Sequence, residues 1–354
     1  MTLPTEPIGS IPRPKELVEA IQSHENGRLD RNSLDEVYEK AIRETIAEFE
    51  ATGSPVITDG EQTKPSFATY PIHGLDNLAP DGTRIVFKDG HVRQLPRLKE
   101  GPFQYKTYAD RYLEEALEYA TKPVKQPVIS ASALSLIYPE EGIDGYSKEK
   151  FLEDLVDEAE KEIRLCLQKG AYNVQIDFTE GRLAVKLDPS RELLKSFIHL
   201  NNRVLNRFSE EERKRIGIHT CPGGDRDSTH SEDGDYVELL PLLFSLNAGR
   251  FYMQFASEPD KERVLQHINK YMGPDQMIFL GVIDVTTPRV ETPEEIRDLI
   301  LKAAAYIPVC QLGTTDDCGF SPFSDDLSTS RQAAFDMIRA RLEGTRLAAE
   351  ALNI

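Results

Sequence analysis

The run Ile216-Gly217-Ile218-His219-Thr220-Cys221 places an imidazole and a thiol two residues apart at the end of an apolar stretch, and Pro222-Gly223-Gly224 must then turn the chain. In a strand, residues two apart point to the same side, so His219 and Cys221 can reach one point in space. Cys318, in Thr314-Thr315-Asp316-Asp317-Cys318-Gly319, adds a second thiol in a loop that follows another apolar segment. Imidazole nitrogen and thiolate sulfur are the donors a tetrahedral zinc ion prefers, which makes His219, Cys221 and Cys318 the candidate metal ligands. For the His-x-Cys pair alone, a core cysteine beside a hydrogen-bonded histidine is the plain alternative, and the third residue weighs against it. Three protein ligands leave one coordination place open. A thiol entering there would give up its proton at neutral pH, the chemistry needed to attack an alkyl group.

The other polar residues at the ends of apolar segments are Ser10, Glu61, Asp177, Gln254 and Asp284. Any one acid among them reads equally well as a helix N-cap or a turn former. The set converging on one place reads as a site. Glu61 and Asp177 could hold the ammonium group of an amino-acid thiol, with Ser10 near its carboxylate.

These residues need elements to position them. Apolar segments near residues 7, 56, 128, 174, 217, 252, 280 and 309 predict eight strands, the last over Ile307–Leu312. Helical patterns follow them: Leu34–Thr52, Tyr108–Ala120, a helix from Ser147 to Gly170, Asp188–Phe208, Asp235–Asn247, Pro259–Tyr271, a helix from Thr292 to Ala305, and Ser328–Leu352. Alternating β and α without a repeat or linker predicts a single α/β domain over residues 1–354, a (β/α)₈ TIM barrel whose site lies at the carboxyl ends of its strands. A doubly wound sheet is the alternative, but it would show a glycine fingerprint after its first strand, and none is present. Residues 71–104, after the second strand, break the rhythm. There Ile85–Val92, with Asp89-Gly90 at its turn, predicts a β-hairpin insertion that is either a lid or a surface decoration.

With 354 residues and a net charge of −18, the chain is unsuited to nucleic acid or an anionic membrane, both of which would repel it. Met1–Pro14 has no apolar run and is not read as a signal peptide, and no stretch approaches the roughly 18 apolar residues of a span. Four cysteines without a secreted spacing pattern read as thiols or ligands in a reducing, cytoplasmic setting. Cys166 and Cys310 fall on apolar patterns and are expected in the core. His24, His73, His91, His230 and His267 are expected at the surface. The partners expected are a small-molecule thiol and an alkyl donor, and a homo-oligomer is compatible with the composition.

With those residues in place, the chain resembles the catalytic barrel of the cobalamin-independent methionine synthases, above all their short single-barrel members. Ile8-Gly9-Ser10, Gly60-Glu61, Gln175-Ile176-Asp177, His219-x-Cys221, Asp317-Cys318-Gly319 and the block Leu280–Asp284 continuing to Glu291 carry the likeness. In that family zinc activates homocysteine and a folate supplies the methyl group. The resemblance implies that Ile8, Ser10, Glu61 and Asp177 line the amino-acid side, with Gln254 and Asp284 in the catalytic set. It also marks departures. Gln254 stands where the family has a zinc-binding glutamate, Thr286 where it has a histidine thought to protonate the folate, and the chain has no tryptophan to stack on one. Another thiol, another electrophile such as an epoxide, or a non-catalytic barrel therefore stand as alternatives.

Overall fold

The computed structural model describes residues 3–354. Six strands form one parallel sheet: β1 (Gln126–Ile129), β2 (Val174–Asp177), β3 (Ile216–Thr220), β4 (Arg250–Met253), β5 (Met277–Gly281) and β6 (Leu312–Thr315). Their order in space is their order in the chain. Parallel neighbours need crossovers, and helices such as Lys148–Gln168 and Pro293–Ala304 supply them. All four residues of β1, β2 and β6 are buried, as a parallel sheet covered by helices requires.

The two amino-terminal segments expected as strands attach to this sheet by single bridges, Thr5 to Thr314 and Ile57 to Val124. They also meet each other, because Ile11 N donates to Gly60 O at 3.0 Å and Thr58 Oγ1 to Gly9 O at 2.7 Å. Pro4, Pro7, Pro12 and Pro55 remove ladder donors from both segments, which is why neither becomes a regular strand.

Lys148–Gln168 is capped by Ser147 and buries Phe151, Leu155, Ala159, Ile163 and Cys166, as its period predicts. Pro293–Ala304 begins with a capping box between Thr292 and Glu295. Three expectations are corrected. The stretch read as one helix from Asp188 starts only at Glu192, after Arg191 in a left-handed conformation, and a separate helix, Glu180–Leu187, precedes it. Asp235–Asn247 holds only the short turns Tyr236–Glu238 and Leu240–Leu243. The last strand begins at Leu312, because Pro308 opens a 3-10 turn over Val309–Gln311, and Cys310 in that turn is exposed rather than core.

Within residues 71–104, Arg84–Val86 pairs antiparallel with Val92–Gln94, and Leu78–Ala79 with Arg97–Leu98. The tip of the first ribbon docks on the loop after β3, with Lys88 N donating to Thr229 O at 2.9 Å. No helix of the described residues is long and apolar enough to cross a membrane.

Candidate active site

The ligating atoms of His219, Cys221 and Cys318 lie within 4.8 Å of one another, and all three residues are buried. His219 is held in β3, whose five residues are buried, with its Cα opposite Asp177 of β2 on one side and Tyr252 of β4 on the other. Cys221 follows one residue past the strand end. Its sulfur accepts a hydrogen bond from Gly223 N at 3.4 Å, an approach made possible by the positive φ of 71° at Gly223.

Cys318 is fixed from both sides. Asp317 accepts from the backbone N of Phe255, Ala256 and Ser257 at 2.8–2.9 Å and from Ser257 Oγ at 2.7 Å, which ties the loop after β6 to the end of β4. Gly281 leaves the room for it, since a Cβ there would overlap the Asp317 carboxylate. On the other side Phe320 N donates to Ser10 O at 3.0 Å, and Ser321 N to Ser10 Oγ at 3.1 Å. The two sulfurs stand 3.2 Å apart as free thiols. The contact favours the thiolate on Cys318, which Cys221 hydrogen-bonds, and pushes the Cys221 thiol up.

A cavity of about 450 Å³ opens beside this cluster, lined by His219 and Cys318 together with Ile8, Ser10, Glu61 and Asp177. The structure thus brings together seven of the nine residues expected at the site, Cys221 lying just behind Cys318. Gln254 and Asp284 do not line it. Gln254 is buried and accepts from Arg182 Nη1 at 2.9 Å, while its own amide donates to Ser257 Oγ at 2.6 Å. Asp284 spends Oδ1 on Thr286 N and Oγ1, at 3.0 and 2.6 Å, in a local turn past β5. Gln254 is thus held between helix Glu180–Leu187 and its own loop, and Asp284 within its own turn.

Glu61 has a neighbour the sequence reading missed. Lys64 Nζ lies 2.9 Å from Glu61 Oε1 and donates to Pro127 O at 2.9 Å, both side chains being almost fully buried. Glu61 itself sits at φ 56°, a conformation a non-glycine residue adopts only when its surroundings enforce it. Asp177 accepts from Gln175 Nε2 at 2.8 Å, and burial pushes its carboxyl up to about 7. Three residues past it, at the first turn of helix Glu180–Leu187, Glu180 also faces the cavity. A carboxylate three residues past a strand end was the available signal for it.

His230 and His91 were expected at the surface. The ribbon Gly224–Asp225 with Ser228–Thr229 folds the chain back, His230 N donating to Gly223 O at 3.2 Å, and the imidazole becomes a buried wall of the cavity. Burial, with Lys186 and Arg182 nearby, pushes it down to about 4, so the ring is neutral. His91 Nε2 instead lies 2.9 Å from Asp225 Oδ2, beside Arg93, which also binds Asp325. That cluster joins the 71–104 excursion to the loops after β3 and β6.

Residues 3–334 match the family model described as the catalytic domain of cobalamin-independent synthase. A methionine synthase of Saccharolobus solfataricus is 23% identical over 353 residues, covering 99% of this chain and 96% of that one. A methionine synthase of Pyrococcus furiosus is 24% identical over 345 residues, covering 96% and 91%. Among solved structures, a B12-independent methionine synthase from Shewanella sp. W3-18-1, in complex with selenomethionine, superposes with TM-score 0.76 at 21% identity, covering 100% of this chain and 98% of that one. A methyltransferase from Methanosarcina mazei shares the fold at TM-score 0.54 and 12% identity, covering 97% and 94%.

Proposed function

Because the chain belongs to the family of the cobalamin-independent synthase catalytic domain, we propose that it is a zinc-dependent thiol alkyltransferase that methylates the sulfur of homocysteine. The observation that carries this reading is the cluster itself. Both ring nitrogens of His219 are buried without a hydrogen-bond partner among the described residues, and two thiols lie within ligand distance of them. An imidazole left unpaired in a core costs about 1–3 kcal/mol, a cost that a ligated metal removes. Nitrogen and sulfur donors suit zinc, whereas calcium and magnesium take oxygen. Bound there, zinc would lower the proton affinity of an incoming thiol.

The remaining work falls to the protein. Ser10 and Asp177, both in the cavity lining, would hold the carboxylate and ammonium ends of the amino acid. Glu61, paired with Lys64, contributes a smaller share of the ammonium site than a free carboxylate would. Ile8 and the apolar walls exclude water. Gln254 and Asp284 act by positioning loops. We take the eight segments as one closed (β/α)₈ barrel spanning the chain, and the 71–104 excursion as the lid over its mouth.

A donor other than a folate is favoured by one observation. Among the described residues lining the cavity, Arg93 is the only arginine or lysine, and it is already bound by Asp225 and Asp325. A polyanionic donor would find no free cation there. Metal analysis of the purified protein, followed by turnover of homocysteine with methyl-folate, methylcobalamin or a small epoxide, tests the reading. About one zinc per chain and a thioether product from at least one donor are expected. Protein that takes up no zinc overturns it.

A further inference from the structure

Alkyl transfer from a nitrogen or oxygen moves a proton as well as a carbon, and the cavity must hold that proton meanwhile. Its lining offers five carboxyl groups and three imidazoles, of which His73 is exposed. Glu61 is paired with Lys64, and Asp325 with Arg93 and Arg226. Asp177 accepts from Gln175 and faces His219 across the strand pair. Glu25 is exposed at the rim. His219 belongs to the metal cluster, and the buried, cation-flanked His230 is too weak a base to serve.

Glu180 differs from all of these. It is 4% exposed, and its Oε1 accepts from the hydroxyls of both Ser130 and Ser132. Asn201 Nδ2 donates to Ser132 Oγ at 2.7 Å and fixes that hydroxyl in turn. Its second oxygen, Oε2, is buried with no hydrogen-bond partner among the described residues. One oxygen is thus clamped by a built support, while the other, buried and without a partner, belongs to a residue that lines the cavity. Burial pushes the carboxyl up to about 7, against the two hydroxyls that favour its ionised form. A carboxyl so tuned can both take and give a proton near neutrality.

We propose that Glu180 is the proton carrier of the reaction, taking the thiol proton as the substrate binds and delivering it to the leaving atom, so that the alkyl donor is one whose nitrogen or oxygen departs as a base. The inference rests on the thiol-alkyltransferase reading. On binding, the S–H proton passes to Oε2. The sulfur lone pair then forms the S–C bond while the C–N or C–O bond breaks, its electron pair staying on nitrogen or oxygen. That atom receives the proton from Oε2. Thiol and donor become thioether and protonated leaving group, and Glu180 ends ionised as it began.

Calorimetric titration of zinc-loaded protein with homocysteine at pH 8, in buffers of different ionisation enthalpy, counts the protons that reach solvent. At pH 8 Glu180 is largely ionised in the free protein, and a negative thiolate bound in the same cavity raises its carboxyl further. Wild type is therefore expected to release clearly fewer protons than Glu180→Gln, which releases about one, and equal counts overturn the proposal. Alkylation then separates the leaving groups: propylene oxide needs a proton and methyl iodide does not. Glu180→Gln should slow the first by about 10²–10⁴-fold and change the second by less than about twofold. Equal slowing of both also overturns it, and if wild type does not open the oxide the proton count decides. Should Glu180→Gln fail to fold, Ser132→Ala replaces it; loss of a hydroxyl that favours the carboxylate must move the proton count to higher pH. Wild type that neither binds homocysteine nor speeds its alkylation by methyl iodide sinks the transferase reading itself. An intact iodide reaction with an unaltered proton count sinks only the role of Glu180.

Discussion

At the amino-terminal ends of the strands, Glu6 accepts from Tyr252 OH at 2.6 Å, Asn173 Nδ2 at 2.8 Å and Arg250 Nη1 at 2.7 Å. Lys125 Nζ stands 3.7 Å over the Tyr252 ring and 3.9 Å from Glu6 Oε2. The Tyr252 and Phe279 rings stack beside them, their centroids 4.9 Å apart. At the carboxyl-terminal ends, His219, Glu180 and His230 all keep buried polar atoms without partners. One end turns its charges on one another, although Lys125 Nζ and Asn173 Oδ1 also lack hydrogen-bond partners there, while the unpartnered atoms of the other belong to residues that line a cavity. Each unpaired buried group costs folding about 1–3 kcal/mol, a cost that a bound ligand or metal would offset at the open end. The same sheet therefore separates stability from chemistry along its strand axis, as parallel α/β barrels do.

The largest effect expected from breaking this contrast is at the open end. Cys318→Ser should leave the purified protein essentially without zinc and cost far more activity than the roughly 10–100-fold that loss of a supporting residue costs. Metal content per chain measures this, and full retention of zinc would remove Cys318 from the ligand set. At the closed end, Glu6→Ala leaves the buried Lys125 without its carboxylate and the half-buried Arg250 without one acceptor, and should destabilise by about 3–5 kcal/mol in urea unfolding. Its folded fraction should keep the wild-type zinc content, and loss of both together would show that the two ends are not separable. The smallest effect is expected at Gln254. In Gln254→Glu the new carboxylate meets Arg182, already 2.9 Å away, before any metal, so zinc affinity should change by less than about tenfold. A large gain in affinity would place residue 254 in the ligand set after all.

How much of this could be read from sequence follows from range. His219 and Cys221 were legible because a two-residue strand period fixes them locally, and Cys318 because strand ends of this architecture converge. Ser10, Glu61 and Asp177 came by the same rule. Lys64 was not, since its partner is chosen by the left-handed turn at Glu61 and not by any pattern. His230 looked exposed in a polar loop, and only the return of that loop over Gly223 buries it. Gln254 and Asp284 obeyed the strand-end rule in position, yet neither lines the cavity, and Arg182 and Thr286 hydrogen-bond their oxygens. Cys310 misled because an apolar run was extended through Pro308, which opens a turn instead.

Gly281 gives the contrast a history. Asp317 holds Cys318 only because position 281 has no side chain, and alanine is one base change from every glycine codon. Such a change would touch no ligand and no charge, yet it would push the carboxylate off the backbone of Phe255, Ala256 and Ser257 and carry the thiol with it. A position that carries no functional group thus sets where the Cys318 thiol stands, and a single methyl group there would displace it.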